Sequence, residues 1–420
     1  MKKLLAILLA LIILAPVTGE LWRLSVLGFE LLPSDLLIPV FFVVWVIDKI
    51  HSDRKLRFGK IGKAIVVFLF VLVITYLLNL IRFDTKEMII AFSYLGRFGM
   101  YVVLALLAFD LLERDKGKTF FRVVLGGFFA SFVLIMILGF LQLKFFGNFL
   151  ELGMHLKGWD PHIGRLLSTW FDPNYVGGFL SFMLSIAIAI GLYYRHKSNR
   201  KWFLVLTVIS VLGLVAIYLT YSRSAYLALI FALAVLAFLK SRKLLIVAAI
   251  VIVLGVAVSP KVQQRLMDMW GSARVVLSID IQQTVDPTAR LRLYSWQFAT
   301  EMIEDHPWIG VGYSRYAYEI NQRGHGLLSD HSAGGSDSSL LTIWATTGIF
   351  GLLSYLAIGF VAVISAFSNI WKKNNFKSYL NAGLLAGLCG MMVHSVFVNS
   401  LLFPLIMVYL WVGLGLMDQD

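Results

Sequence analysis

The sequence predicts an all-α integral membrane protein, and three observations predict it. Of its 420 residues, 59% are hydrophobic and only 15% are charged, with a mean hydropathy of +0.82. A soluble domain carries roughly 45–50% apolar and about 25% charged residues, so no compact soluble packing keeps this much apolar surface from water. The apolar residues fall in runs that reach, or nearly reach, the length needed to cross about 30 Å of hydrocarbon. The basic residues sort between the connecting segments by side. A soluble enzyme, a disordered chain and a coiled coil are excluded.

The spans follow in order. Met1-Lys2-Lys3 and the apolar run to Leu14 have the form of a signal peptide, with residues 16–19 as a small-residue end. We read this stretch as a retained first span, 4–18. The others are 34–50, 62–81, 88–110, 119–142, 175–194, 202–220, 224–239, 244–258, 338–369, 378–397 and 401–417, twelve in all. The tenth is over-long, and Thr346-Thr347-Gly348 marks an expected break between a polar half-helix and the span proper. The chain thus divides into residues 1–258 with nine spans, 259–337 as an extracytoplasmic, partly helical capping loop, and 338–420 with three spans.

Charge sets the orientation. With both termini inside, the inner segments carry 22 Lys and Arg, the outer ones 14, and Arg97 lies within a span. Every short inner loop is basic, as the positive-inside rule requires. Lysine supplies 15 of the inner 22, whereas arginine supplies 10 of the outer 14. A guanidinium meets phosphate as a planar fork and lysine meets it as a point charge, so an arginine-rich outer surface suits a phosphate-bearing ligand. The insertion rule alone also favours lysine inside. The formal net charge of +13 therefore points to the membrane and not to nucleic acid. The single cysteine, Cys389, excludes an intramolecular disulfide and a thiolate cluster.

Two outer loops are long, 142–174 and 259–337. In the second, residues 289–305 read as an amphipathic helix with Leu293, Trp296, Ala299, Thr300 and Ile303 on one stripe. Pro307 stops it, and Gly310 and Gly312 mark a tight turn.

Three stretches resemble the O-antigen ligase/polymerase superfamily of membrane glycosyltransferases. They are Arg165-Leu-Leu-Ser-Thr-Trp-Phe-Asp-Pro-Asn174, Thr220-Tyr-Ser-Arg-Ser-Ala-Tyr226, and the block from Arg292 through Trp296, Pro307 and Gly310-Val-Gly312 to Thr347-Gly-Ile-Phe-Gly351. The resemblance implies transfer of a glycan from an undecaprenyl-diphosphate donor to a sugar hydroxyl, on lipid A core (ligase) or on another glycan (polymerase). It implies an inverting, metal-independent reaction without a cofactor at the outer face of the bacterial inner membrane. In such enzymes arginines hold the diphosphate and a histidine helps activate the acceptor. The charge that builds on a departing diphosphate is stabilised directly by preorganised guanidinium groups.

The resemblance makes Arg223 and Arg165 diphosphate ligands; the alternatives are an interfacial snorkelling arginine and a loop cation near Asp160 or Asp172. Arg292 and Arg290 are further candidates, against an ion pair with Glu301 or Asp286. Arg97, costly inside a bilayer, is either a supporting donor-site residue or half of a helix–helix ion pair. His331 is the candidate base, just before the half-helix of span ten. Here the chain departs from the family, whose His-Asn pair would fall at Asp337-Ser338, so Asp337 is the alternative. His394, near the outer end of span eleven, could approach from the far wall. No metal-ligand motif stands out. A polyprenyl-linked glycan or lipid transporter is the rival of another class, but it calls for midplane ionisable groups, and only Arg97 qualifies.

Overall fold

The computed structural model describes residues 1–246, 287–323 and 335–418, apart from residues 27, 28, 53, 54, 56, 83, 115–117 and 373, together with positions 249 and 263. The described chain is helical, with one two-stranded hairpin, β1 (Leu24–Val26) and β2 (Phe29–Leu31). Its main helices are α1 (Lys2–Leu14), α2 (Pro33–Ser52), α3 (Lys60–Asn79), α4 (Thr85–Arg114), α5 (Thr119–Phe145), α6 (Pro173–His196) and α7 (Arg200–Thr220). There follow α8 (Arg223–Leu239), α9 (Pro287–Asp305), α10 (Tyr316–Gln322), α11 (Ser339–Lys372), α12 (Phe376–Phe397) and α13 (Pro404–Met417). Eight helices among the described residues have the length and apolarity to cross a membrane; α8 and α13 are apolar but shorter. The expected ninth span, 244–258, lies almost wholly outside the described residues, as does most of 259–286.

Sequence explains why the helices begin where they do. Asp172 caps α6 by accepting from the Asn174 and Tyr175 amides, with Pro173 at the first helical position. Asn199 caps α7, Ser222 caps α8 and Asn375 caps α12. Apolar on all sides, α6 is central: its residues 176–187 are all buried, and it packs on α7, α8 and α12. The outer helices leave large apolar side chains uncovered, such as Phe70 at 65% and Phe360 at 66% exposure. Lipid is the solvent that such a band requires.

The basic segments around 49–63, 114–122, 195–201, 240–243 and 372–377 gather at one end of the bundle. There Lys49 pairs with Asp110, Arg57 with Glu113 and Arg114 with Asp48. Phe121 and Tyr193 meet Phe376, and Lys240 donates to the Ile370 carbonyl and to Ser378. At the same end Asp418, just past α13, caps α3 by accepting from the Ile61 and Gly62 amides, both at 2.8 Å.

The break in span ten falls at Gly348, whose φ of 67° interrupts α11. Breaking a helix in a membrane frees backbone groups that water cannot reach. The segment 307–312 satisfies them: the Val311 and Gly312 amides donate to the Ala345 and Thr346 carbonyls (2.9 and 3.1 Å), and the Ile349 amide donates to the Pro307 carbonyl (2.9 Å). The approach is too close for side chains. A Cβ at Gly348 would stand 2.1 Å from the Trp308 carbonyl oxygen, and one at Gly310 would stand 2.4 Å from the Thr346 backbone. Gly348→Ala is therefore expected to destabilise by on the order of 1–3 kcal/mol, seen as a lower midpoint of thermal unfolding in detergent. An unchanged midpoint would refute this account of the break.

One expectation needs correction. The buried face of α9 comprises Ser295, Phe298, Ala299, Met302 and Ile303, while Thr300 is exposed and Leu293 and Trp296 are only half-buried. Several overlapping stripes fit a 3.6-residue period. The surface waiting for the helix, made by Val311, Tyr316, Ile320 and Ala345, selects the stripe with Phe298 and Met302.

Candidate active site

At the end opposite the lysine-rich one, the N-termini of α6 and α8 meet the C-terminus of α12. Two glycines make this possible. A Cβ at Gly177 would lie 2.5 Å from that of Ala225, and one at Gly178 would press the His394 ring at 2.9 Å. The helices close up, and a chain of hydrogen bonds links four segments. Ser222 Oγ donates to Asn174 Oδ1 (2.8 Å) and lies 3.1 Å from Ser224 Oγ. Ser224 Oγ shares a hydrogen bond with His394 Nε2 (3.2 Å), and His394 Nδ1 shares another with Ser400 Oγ (3.0 Å). Ser222, Ser224, His394 and Ser400 are all buried.

The arginines arrive on this network from three directions. Arg223 opens α8 between the two serines and is half-buried. Arg165 comes from the 146–172 segment, its Nε donating to the Thr220 carbonyl (2.9 Å) and its second terminal nitrogen to the Tyr221 carbonyl (3.4 Å). It thus grips the turn that carries Arg223. Tyr221 has a φ of 48°, and those two carbonyls point at the guanidinium. Trp170 Nε1 donates to the Pro16 carbonyl and Thr169 Oγ1 to the Val17 carbonyl, both at 2.7 Å, which anchors the Arg165 segment on the end of α1. Arg292, half-buried on α9, is within electrostatic reach of the His394 ring.

Carboxylates complete the surroundings. Asp172 is raised above its ordinary value by burial, against the opposing pull of the Asn174 amide and of Arg165. The Asp337 amide donates to Ser295 Oγ (2.7 Å), and its carboxylate is within electrostatic reach of Tyr175 and Tyr316. Two helix N-termini and three arginines in a partly buried setting favour an anion. Among the described residues no group of three His, Cys, Asp and Glu side chains could hold a metal ion.

The structure brings Arg165, Arg223 and Arg292 to one region, with Asp337 at its edge. Arg290, two residues before Arg292 on α9, is exposed. Arg97 takes the ion-pair alternative: its Nε and a terminal nitrogen donate to the two Asp35 oxygens (2.8 and 2.7 Å), and Tyr101 also donates to Asp35 (2.8 Å). Asp35 lies in the first turn of α2, so this is a helix–helix contact and not part of the arginine group. His331 lies outside the described residues. The serine–histidine network was not legible in the sequence beyond His394 itself, because Ser222 and Ser224 stand 170 or more residues from it in the chain.

Fold and site together define a multi-pass helical membrane protein with a cationic polar site at one end of its bundle. Residues 208–356 match the family model described as O-Antigen ligase, so this part of the chain is similar to the O-antigen ligase-like superfamily. The match runs from α7 to the middle of α11 and includes Arg223, Arg292 and Asp337; Arg165 and His394 lie outside it. The similarity is to proteins of the O-antigen ligase or polymerase type in general terms. Comparison with curated proteins gives no match.

Proposed function

We propose that the protein is a metal-independent, inverting glycosyltransferase of the O-antigen ligase type. It moves a glycan from undecaprenyl diphosphate to a sugar hydroxyl of lipid A core at the outer face of the bacterial inner membrane. The observation that carries this reading is the match over residues 208–356 within a fold that gathers Arg165 and Arg292 around the turn bearing Arg223. In the reaction the acceptor oxygen attacks the anomeric carbon, and the bond from that carbon to the diphosphate oxygen breaks. The diphosphate leaves with the bonding electrons, and the hydroxyl proton passes to a base, His331 or Asp337. The arginines face the oxygens on which charge develops. Arg292 and Arg290 on α9 are further candidates for the diphosphate, whereas the Asp35 ion pair of Arg97 favours a structural role for that residue.

The topology that goes with this reading is twelve spans, both termini cytoplasmic and the 259–337 loop outside, which supports a division of the chain at 258/259 and 337/338. Gathering of the basic segments at one end of the bundle supports it. A cysteine placed at Gln283 should react with an impermeant thiol reagent from outside sealed spheroplasts. Reaction from the inside alone would overturn the orientation.

The direct test is incubation of purified protein with a polyprenyl-diphosphate glycan and candidate acceptors, following release of undecaprenyl diphosphate. Transfer to lipid A core supports the ligase, transfer to a second glycan the polymerase, and movement of the intact lipid-linked glycan without cleavage a transporter.

A further inference from the structure

Next along the chain from Ser400 of the serine–histidine network, Asn399 lines a cavity of about 470 Å³. It is walled by α4, the 313–317 segment, the first half of α11 and residues 399–407. Ser400 bonds His394, while its neighbour Asn399 lines the cavity. The volume falls within the roughly 300–1,000 Å³ of small-molecule sites.

Its lining identifies the ligand chemistry. Tyr94, Tyr313 and Tyr316 supply flat rings with hydroxyl edges, and Arg97, Thr342 and Asn399 supply hydrogen-bonding groups among them. Tyr313 is held at 5.6 Å from the Phe98 ring, and the Tyr316 hydroxyl donates to the Ser295 carbonyl (3.2 Å). Asn399 Oδ1 is buried and has no hydrogen-bond partner among the described residues, an arrangement that favours a ligand bringing a donor. A diphosphate is ill matched here, because the Arg97 charge is already balanced by Asp35 at 2.7 Å. A hydrocarbon tail is ill matched too, because it would strip water from Arg97 and Asn399 without replacing their hydrogen bonds. A sugar fits both requirements: its C–H faces lie against aromatic rings and its hydroxyls both donate and accept.

We propose that this cavity, joined through Asn399 and Ser400 to the network beside the arginines, binds the sugar rings of a substrate. This rests on the glycosyltransferase reading. The rings belong either to the donor or to the acceptor.

The test uses the full chain in nanodiscs with Cys389→Ser and Ala317→Cys, which puts one thiol on the cavity wall. Its rate of maleimide modification is followed with three probes. They are undecaprenyl diphosphate alone, the glycan-bearing polyprenyl lipid extracted from the producing membranes, and the acceptor glycolipid of the same cells. At about ten times its Kd, the glycan-bearing lipid or the acceptor glycolipid should slow modification about tenfold. Undecaprenyl diphosphate should leave it unchanged. The probe that protects identifies the source of the rings, and Asn399→Ala should weaken that protection. Equal protection by undecaprenyl diphosphate, or protection by none of the three, overturns the proposal. A protein that transfers glycan but shows no protection loses the cavity assignment alone. One that shows protection but no transfer loses the enzymatic reading and keeps the cavity.

Discussion

Arg223→Ala is expected to lower the rate of glycan transfer by about 10²–10³-fold, the usual effect of removing one preorganised donor from a developing anion. Arg223 sits at the first turn of α8, half-buried between two buried serines, so its side chain is not needed to complete the core. The protein should therefore insert and melt normally. Arg223→Lys should retain more activity than the alanine variant, because lysine keeps the charge but not the fork. Arg165→Ala should be at least as damaging for a compound reason. It removes a cation and also frees the Thr220 and Tyr221 carbonyls that hold the α7–α8 turn. It should lower thermal stability as well as rate, and that difference separates the two arginines. Near-normal transfer by both alanine variants, or a strict requirement for a divalent metal, would overturn the assignment of these residues to the diphosphate.

His331→Ala is expected to cost about 10²–10⁴-fold in transfer rate with donor binding preserved, the range for loss of a general base. A sugar hydroxyl is a poor nucleophile, and neutral imidazole is well matched to taking its proton near neutral pH. The sign of the pH dependence follows. The base works only when neutral, so activity is full above an ordinary histidine pKa of ~6.5 and is lost as pH falls through it. An acid limb near that value in the wild type, abolished in the variant, supports His331. Asp337 is the competitor, and it stands by Tyr175 and Tyr316 at the edge of the arginine group. An active His331→Ala protein beside an inactive Asp337→Ala one would move the role to Asp337. Parallel loss of donor binding in His331→Ala would make His331 a diphosphate contact.

Some of this molecule could be read directly from the chain. Apolar runs fix the helices because a buried or lipid-facing helix must be apolar along its length, whatever its neighbours. The break at Gly348 was legible because two threonines and a glycine interrupt such a run. Arg165 and Arg223 stand out through the stretches that resemble the O-antigen ligase/polymerase superfamily, Arg165 to Asn174 in one case and Thr220 to Tyr226 in the other. The α9 stripe was misplaced by part of a turn, since periodicity gives a face and the partner chooses its angle.

Residue order thus determined a helical membrane protein and predicted most of its lysines on one side and just over half of its arginines on the other, because those properties are sums over local stretches and over the cost of moving charge into lipid. Only the tertiary structure decided which arginines lie together. Arg97 and Arg165 are alike as residues, yet Asp35 on α2 claims the first, while the second reaches the Arg223 turn across more than fifty residues of chain. The structure also set His394 between Ser224 and Ser400 by way of the bare backbone of Gly178. These are pairwise contacts between distant segments, governed by how closely helices can approach, and no local pattern encodes that distance.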